Sequence, residues 1–243
     1  MKCFNADFHI HTCLSPCADI SMTPNEVAKI LSSNNIDWAA VTDHNSARNT
    51  RVFSEVFSKY GIKTISGIEV HSREDVHILG YFPSQQITEE FGIIIERMLP
   101  KLVLDPEKVG YQLIVNEKDE FIGMVESPLS FPTELTIDQI FELIRQFSGI
   151  GVFSHIDRSM GILFQLGLIP ENLTDVPCEI YSLEKIESLM PAIKCKNIFS
   201  SSDAHNLDSL KKAKMKICCD SRTFSELLQV LHGNRGKRIE ICR

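Results

Sequence analysis

The chain has 243 residues and a formal net charge of -7 at pH 7, and 43% of its residues are hydrophobic and 23% are charged. This length gives one large domain or two small ones with a sizeable core, and the average composition excludes disordered and fibrous proteins. The acidic balance argues against the broad basic face that long nucleic acids require, and no uncharged apolar run approaches the ~18 to 20 residues of a membrane span.

The N-terminus reaches Asp7 and His9 before any apolar segment, so we expect no signal peptide and a cytoplasmic protein. In that compartment the eight cysteines are expected to be reduced thiols. Cys13 and Cys17 have a spacing that can bind zinc, but no second cysteine pair at ligand spacing would close a tetrahedral site. We therefore interpret both as ordinary thiols.

The first predicted strand covers residues 6–10 and carries paired histidines. Because alternate side chains of a strand share a face, Asp7, His9 and His11 point one way and the apolar residues between them point the other. Neutral imidazole is a common ligand of zinc and related metals. The alternative is an incidental strand face, so the rest of the chain decides between the two interpretations.

Helices and strands alternate over the first third of the chain. Thr23, as a hydroxyl N-cap before Pro24, predicts a helix that runs to about Ser33. The apolar run from Ile36 to Thr42 predicts a strand that is buried on both faces. The next predicted elements are a helix over 47–60, a strand over 63–70 that carries Glu69 near its end, and a strand over 76–82 that begins near His77. This alternation is typical of a mostly parallel sheet or barrel.

Residues 84–133 interrupt the alternation. Helical spacing in the first part is broken by Pro100, and the runs 111–115 and 121–125 predict an antiparallel hairpin around a polar turn. A segment of about 50 residues has only a marginal core. We therefore interpret it as a lid or hairpin insertion within a single domain that spans residues 1–243.

The alternation resumes near Leu135 with an amphipathic helix. The later predicted elements are strands at 150–153, 178–181, 198–201, near Ile217 and near Ile239, and a helix over 224–231. Acidic and histidine residues follow the ends of several predicted strands, and in a barrel of parallel strands those ends meet at one rim, where such folds place their active sites. The predicted cluster consists of His9, His11, Asp43, His44, Glu69, His155, Asp203 and His205.

Six motifs lie in order along nearly the whole chain: Asp7-Phe8-His9-Ile10-His11-Thr12, Val41-Thr42-Asp43-His44, Gly67-Ile68-Glu69, His77-Ile78-Leu79-Gly80-Tyr81, Ser154-His155 and Ser202-Asp203-Ala204-His205. In these motifs the sequence resembles the PHP (polymerase and histidinol phosphatase) family, and within it the stand-alone bacterial metal-dependent phosphoesterases. The resemblance implies an α/β fold, a distorted (βα)7 TIM-like barrel, with a cluster of two or three divalent metals at its C-terminal rim.

The resemblance also implies a set of metal ligands. Carried over by position, these are His9, His11, Glu69 and Asp203 for the first ion, Glu69, His77 and His155 for the second, and His44, His205 and one further group for the third. The family often has an acid or a histidine shortly after His11, where this chain has Pro16. We expect Asp19, the nearest acid in a longer loop, to complete the third site.

We expect this centre to hydrolyse phosphoesters. Three divalent ions carry more positive charge than Asp19, Glu69 and Asp203 remove, and this surplus suits a phosphomonoester dianion better than a neutral amide. Metal coordination lowers the pKa of water from 15.7 to roughly 7, so the expected reaction is in-line attack of a metal-bridging hydroxide on phosphorus. Arg158 is a candidate for holding a phosphate oxygen, with an ordinary surface charge as the alternative. Histidine-rich ligation favours manganese, iron or zinc.

The acidic balance favours a small phosphorylated molecule or a nucleotide as substrate, with no long nucleic acid and no membrane as partner. The alternatives are a 5'-3' exonuclease or oligonucleotide phosphodiesterase of the same family, and a non-catalytic PHP module. The surplus charge disfavours an amide hydrolase on a related metal barrel. His71 is a further candidate for substrate contact, and Asp7 and Asp43 are expected to orient ligands. The insertion is expected to determine the substrate.

Overall fold

The computed structural model describes residues 1–194 and 197–242, which form a mixed α/β fold. The strands are β1 (Lys2–Ile10), β2 (Trp38–Val41), β3 (Lys63–Thr64), β4 (Ser66–His71), β5 (His77–Phe82), β6 (Leu113–Val115), β7 (Phe121–Met124), β8 (Ile150–Phe153), β9 (Cys178–Glu179), β10 (Ile198–Phe199), β11 (Met215–Cys219) and β12 (Arg238–Ile241). The α-helices are α1 (Pro24–Ser33), α2 (Thr50–Lys59), α3 (Gln85–Arg97), α4 (Pro106–Val109), α5 (Ile137–Gln146), α6 (Ile162–Leu166), α7 (Ile186–Leu189) and α8 (Phe224–Leu231).

All of these strands except β6 and β7 form two five-stranded sheets, in the orders β12-β11-β1-β2-β3 and β10-β9-β8-β5-β4. β1 is parallel to β2, whereas β5 is antiparallel to both β4 and β8. The expectation of a mostly parallel sheet is therefore wrong around β5. The reason is that residues 72–76 form only a short turn, and a parallel connection needs a dozen residues or more.

In the described residues the two sheets do not close into one continuous barrel. They are joined instead by two isolated parallel bridges, Ile10 with Ala204 and His44 with Glu69. The mixed α/β fold is confirmed, and the closed seven-stranded ring is not observed as a continuous sheet. Both bridges involve or adjoin residues of the predicted cluster, so the place where the sheets meet is also the place where the candidate ligands meet.

Aromatic side chains fill the core beneath this junction. The ring of Phe8 lies 5.2 Å from that of Trp38 and 5.8 Å from that of Tyr81, and all three side chains are buried. The Tyr81 hydroxyl donates a hydrogen bond to the Phe8 carbonyl at 2.8 Å. Because Phe8 belongs to β1 and Tyr81 to β5, this contact ties the two sheets together next to His9.

Several helix predictions are confirmed. α1 covers Pro24–Ser33 and α8 covers Phe224–Leu231, as the apolar spacing indicates. The N-cap prediction is only half right, because Thr23 occupies the cap position but its side chain makes no capping hydrogen bond. No helix of the described residues is both long and apolar enough to cross a membrane.

Residues 84–133 contain α3, α4 and the predicted antiparallel hairpin, which pairs β6 with β7. α3 ends at Arg97, before Pro100. The segment is fastened to the loop after β1, because the Leu113 amide donates to the Cys13 carbonyl at 2.8 Å, and to the start of α2, because the Asn49 side-chain amide donates to the Leu113 carbonyl at 3.0 Å. It therefore adjoins the loop that follows the paired histidines.

The structure corrects the expectation that all cysteines are thiols. Cys3 and Cys218 form a disulfide between β1 and β11, although 215 positions separate them in sequence. They are direct partners in the antiparallel register, with Cα atoms 3.9 Å apart. The pairing follows from a strand register that cysteine spacing does not reveal. Among the described residues, Cys13, Cys17, Cys219 and Cys242 are free cysteines.

We expect Tyr81→Phe to lower the free energy of unfolding by about 1 to 2 kcal/mol, because it removes a hydroxyl donor from a buried carbonyl. Urea denaturation monitored by circular dichroism measures this change. The matched control is Tyr111→Phe, at a site 44% exposed, which should change stability by less than about 0.5 kcal/mol. Equal losses in the two variants would contradict the role given to the Tyr81 hydroxyl.

Candidate metal centre

The paired histidines lie side by side at the end of β1, with His9 in the strand and His11 directly after it. His9 and His11 are fully buried, and their Nε2 atoms are 3.1 Å apart. Phe8, directly before His9, points into the aromatic core, and Ile10, between the two histidines, belongs to a second hydrophobic cluster. The alternation predicted from the sequence is therefore present, and the rigid strand holds both imidazoles towards one point.

Hydrogen bonds on the outer side fix which nitrogen of each imidazole faces the centre. His9 Nδ1 lies 2.8 Å from Glu179 Oε2, and a carboxylate only accepts, so Nδ1 carries the hydrogen. The Ser15 hydroxyl donates its hydrogen to Asp43 at 2.7 Å. Ser15 Oγ is therefore free to accept a hydrogen bond from His11 Nδ1 at 3.0 Å. Both Nε2 atoms are thereby directed inwards, the arrangement that carboxylate and hydroxyl partners give to metal-ligating histidines.

Glu69 of β4 is the centre of the cluster. Its fully buried carboxylate lies 3.1 to 3.3 Å from a ring nitrogen of five histidines, and the Ser154 hydroxyl donates to its Oε1 at 2.7 Å. The five histidines are His9, His11, His44, His77 and His155. A carboxylate in this position can bridge neighbouring cations.

Asp203 supplies the second carboxylate. Its Oδ1 lies 3.2 Å from His9 Nε2 and 3.3 Å from His11 Nε2, and Arg158 Nη2 lies 2.5 Å from its Oδ2. Its backbone has φ = 50°, in the left-handed region that non-glycine residues rarely adopt. The adjoining bridge of Ala204 to Ile10 holds this conformation. Backbone strain of this kind is often found at functional sites.

The electrostatics of the cluster keep its carboxylates ionised. Burial alone would raise the pKa values of Glu69 and Asp203, but the surrounding histidines hold both well below their usual range. Burial lowers the pKa values of His77 and His205 to about 3, so these imidazoles are neutral. Neutral imidazoles and ionised carboxylates are the forms that bind metals.

In contrast to His77 and His205, His9 and His11 have raised pKa values when no cation is bound. Burial would lower their pKa values, but the carboxylates of Asp203, Glu179 and Glu69 raise that of His9 well above its ordinary value. Hydrogen bonds to Asp203 and Glu69 raise the pKa of His11 to about 9 against the same burial effect. Each imidazole therefore takes up a proton in the position that a cation would fill.

The donor atoms fit divalent metal ions. Several buried atoms make the close ion-pair contacts given above but no hydrogen bond of normal geometry, namely Nδ1 of His44, Nδ1 of His77, Oε2 of Glu69 and both carboxylate oxygens of Asp203. Three overlapping groups have donor atoms within 4.8 Å of one another: His9 with His11 and Glu69, His44 with Glu69 and His77, and His11 with His44 and His205. Imidazole nitrogen with carboxylate oxygen is the donor set that zinc, iron and manganese use.

The structure brings together all the predicted ligands except one. Asp19 is exposed, and its carboxylate accepts a hydrogen bond from the Ser21 amide at 2.8 Å. Its backbone amide does return to the site, since it donates to the His205 carbonyl at 2.7 Å. Cys13 and Cys17 belong to none of the candidate metal groups found among the described residues.

His71 lies beside the cluster rather than in it. Its ring packs edge-on against His77, with centroids 4.6 Å apart, and its Nε2 lies 3.2 Å from Asp75. Its Nδ1 lies 3.2 Å from the Ser130 carbonyl, and its backbone carbonyl accepts from Thr133 at 2.8 Å. These contacts connect β4 to the end of the 84–133 segment.

The sequence did not reveal the roles of Glu179 and Ser15, and Ser154 was named only as a motif residue without a role. Glu179 is 1% exposed and, besides His9, accepts a hydrogen bond from the His155 amide at 3.1 Å. The available signal was an acid inside a short apolar strand, because a buried carboxylate requires a partner. Ser15 offered no such signal, since serine is common in turns.

The family model described as PHP domain matches residues 7–162. Among curated proteins, an uncharacterized protein of Methanocaldococcus jannaschii is 25% identical over 171 residues, which cover 67% of this chain and 88% of that protein. The family-model match over residues 7–162 includes most of the residues that form the centre.

Solved structures with a similar fold include two of endonuclease Q. The lesion-specific enzyme from Pyrococcus furiosus has a TM-score of 0.70 at 15% identity over 98% of this chain, which spans 58% of the enzyme's length. A complex of endonuclease Q with a 27-mer duplex substrate, with an abasic lesion at the active site, has a TM-score of 0.64 at 16% identity, again over 98% of this chain and 58% of that one.

A protein of Bifidobacterium adolescentis, assigned provisionally as a metal-dependent phosphoesterase, has a TM-score of 0.58 at 15% identity. The match covers 94% of this chain and 96% of that one. At these identities the likeness concerns the fold alone.

We expect Glu179→Gln to weaken binding of the first divalent ion by about 10- to 100-fold, because an amide holds the Nδ1 hydrogen of His9 less firmly than a carboxylate does. Competition titration against a chelator measures the affinity. The matched control is Glu184→Gln, at an exposed site, which should bind metal as the wild type does. Unchanged affinity in Glu179→Gln would contradict the orienting role.

We also expect metal binding to release protons near neutral pH. A ligating imidazole must be neutral, and the pKa of His11 in the metal-free protein is about 9, so an incoming ion displaces the proton below that pH and displaces progressively less of it above. Isothermal titration calorimetry in two buffers of different ionisation enthalpy counts the protons. Heats that do not depend on the buffer would contradict this protonation state.

Proposed function

The chain belongs to the PHP domain family, and from that premise we propose that it is a metal-dependent hydrolase of phosphoesters, of the phosphomonoester or nucleotide phosphatase type. The observation that carries the proposal is the convergence of five histidine nitrogens on Glu69, beside the Asp203 carboxylate. Clusters that can hold neighbouring divalent ions are a recurrent feature of phosphatases and nucleases.

We assign two or three ions of manganese, iron or zinc to this centre. The proposed ligands are His9, His11, Glu69 and Asp203 for the first, Glu69, His77 and His155 for the second, and His44 and His205 for the third. His44 Nδ1 also lies 3.1 Å from Glu69 Oε2, so the proposed second and third sites are adjacent. Asp19 stays the proposed further ligand of the third ion, for which its carboxylate has to leave the Ser21 amide.

Divalent ions bound here supply an activated water and neutralise charge on phosphoryl oxygens. The residues of the chain position the reactants. Glu179 and Ser15 hold the imidazoles of His9 and His11 in one tautomer, and Ser154 holds Glu69. The side chain of Arg158 is 36% exposed and its guanidinium pairs with Asp203, and we assign to it the role of holding a phosphoryl oxygen next to that carboxylate. A planar guanidinium can hold two oxygens of one phosphate.

The charge of the centre favours an anionic ester. The carboxylates of Glu69, Asp203 and Glu179 have lowered pKa values and are ionised, while His77 and His205 are neutral. Two or three divalent ions carry more positive charge than these three carboxylates remove, and Arg158 adds to the surplus. A phosphomonoester dianion is stabilised in such a field, whereas a neutral amide gains little.

An oligonucleotide phosphodiesterase or 5'-3' exonuclease is the second candidate. The fold likeness to endonuclease Q, whose complex contains a duplex substrate, favours it and weakens the expectation that long nucleic acid is not a partner. A non-catalytic module is disfavoured, because all the predicted ligands except Asp19 converge.

We further propose that residues 1–243 form one domain, a distorted (βα)7 barrel in which the two bridges between the sheets stand in for continuous pairing. Within it, residues 84–133 would act as the insertion that determines the substrate. The Asn45 amide, next to His44, donates to the carbonyls of Leu129 and Phe131 at 2.8 and 2.9 Å. The insertion thus reaches the rim at one of the proposed ligands.

The experiment that tests the function pairs a metal content assay with a phosphoester panel of nucleoside monophosphates, bisphosphates, histidinol phosphate and short RNA. We expect turnover of at least one compound by the metal-loaded wild type. His9→Ala should reduce turnover by at least about 1,000-fold, because it removes a ligand of the first ion.

The control for this experiment is His232→Ala, at an exposed position of the same residue type. It should keep wild-type metal content and turnover, and circular dichroism should show that both variants are folded. A metal-loaded wild type that hydrolyses none of the compounds, or a His9→Ala variant with wild-type turnover, would refute the proposal.

A further inference from the structure

Residues 84–133 carry large apolar side chains that are open to solvent. All four residues of β7 are exposed, among them Phe121 at 53% and Ile122 at 63%. Val103, in the loop before α4, is fully exposed. Together with apolar neighbours in the same segment they form what we call the apolar face, which consists of Ile93, Leu102, Val103, Val109, Phe121, Ile122 and Met124.

Two grooves make the apolar face continuous. Leu102, Val103, Val109 and Met124 line a groove of about 350 Å³. Ile93 lines a second groove together with the same Leu102 and Val103. The face extends from Met124 along the rest of β7, which is exposed throughout. A contiguous apolar patch of this kind is typical of an interaction surface.

β7 also has a backbone edge without a strand partner. Among the described residues β6 is its one neighbouring strand, so its other edge is left open. The outer edge of β6, in contrast, is covered, because Leu113 is bonded to Cys13 and Asn49. An open apolar strand edge is a template for pairing with another strand, and a two-stranded ribbon gains stability from such pairing.

The hairpin is held in place at its turn and on its inner side. The Asp119 carboxylate accepts hydrogen bonds from the backbone and side-chain amides of Asn25 at 2.9 and 3.0 Å, and the Asn25 side chain also donates to the Glu117 carbonyl at 3.0 Å. The buried Val115 belongs to the core cluster that contains residues of α1 and α2. The face therefore needs little ordering when a partner binds, and ordering is one of the main costs of association.

The charges around the apolar face favour a second copy of this chain over a nucleic acid or an anionic lipid surface. Both signs are present, with Lys101 and Lys108 near Asp105, Glu107 and Glu126. A polyanion requires a predominantly basic surface. A rim of mixed sign suits self-association, because each charge can lie opposite one of the other sign on the second copy.

The size of the apolar face also fits a dimer. A large side chain has roughly 150 to 250 Å² of surface, so the exposed fractions of this set give on the order of 700 Å². Specific interfaces bury about 800 Å² on each partner. The backbone edge of β7 and the charged rim supply the remainder.

We propose that the apolar face is the interface of a homodimer, in which the β7 strands of two copies lie antiparallel across a twofold axis. Such an axis brings the same surface of both copies together, so the two open edges become partners in a four-stranded sheet, β6-β7-β7-β6. The proposal does not depend on the proposed function. Each copy keeps its own metal centre, and the segment that adjoins the centre forms the contact between copies.

Size-exclusion chromatography with light scattering, applied to the full chain, tests the dimer. We expect a wild-type dimer with a Kd of about 1 μM or lower. Ile122→Lys and Val103→Glu should each weaken it by at least about 100-fold, because each places an unpaired charge in an apolar contact, and both should be monomeric at about 10 μM. Circular dichroism should show that both variants are folded.

The matched control is Phe164→Lys, which changes an apolar residue that is 67% exposed and lies outside the apolar face. It should stay dimeric. Three results would overturn the proposal: a wild type that is monomeric at about 100 μM, a dimer that persists in both Ile122→Lys and Val103→Glu, or a monomeric Phe164→Lys variant.

A charge-pairing experiment tests the position of the axis. Ile122→Lys and Ile122→Asp should each be monomeric alone at about 10 μM, because like charges then face each other near the axis. An equimolar mixture of the two should form dimers, because the charges across the axis are then opposite. A mixture that stays monomeric would refute the placement of β7 at the axis.

Discussion

The Glu69 carboxylate, fully buried and within 3.3 Å of five imidazole rings, is the interaction on which the rest of the molecule depends. A buried carboxylate is costly unless positive charge surrounds it. Here the charge can come from protons on His9 and His11 or from metal ions in their place. The same residue joins the two sheets through its bridge to His44, so the fold and the centre share one point.

The fold fixes the positions of the side chains around Glu69. β1 places one face in the aromatic core and the other at the centre, and Tyr81 fastens that strand to the opposite sheet. Behind the ligands, Glu179 and Ser15 determine which nitrogen faces inwards. Such contacts behind the ligands determine whether residues of the right type for metal binding also have the right geometry for it.

The sequence predicted those features of the site that depend on a local residue pattern. Strand alternation placed His9 and His11 on one face, and acids and histidines at strand ends predicted their convergence. Features that depend on the pairing register of strands far apart in sequence could not be predicted from residue spacing. The Cys3–Cys218 disulfide and the bridges that replace a closed barrel are two such features. Glu179 was missed because its partner, His9, is 170 positions away in sequence.

The central claim is that Glu69 and Asp203 share cations with the surrounding histidines. Anomalous diffraction from crystals of the metal-loaded protein, recorded at the absorption edge of the bound metal, tests it most directly. The account predicts anomalous peaks about 2.0 to 2.3 Å from His9 Nε2, His11 Nε2 and the Glu69 carboxylate. Peaks elsewhere in a fully loaded protein, with these side chains sharing no ion, would contradict it.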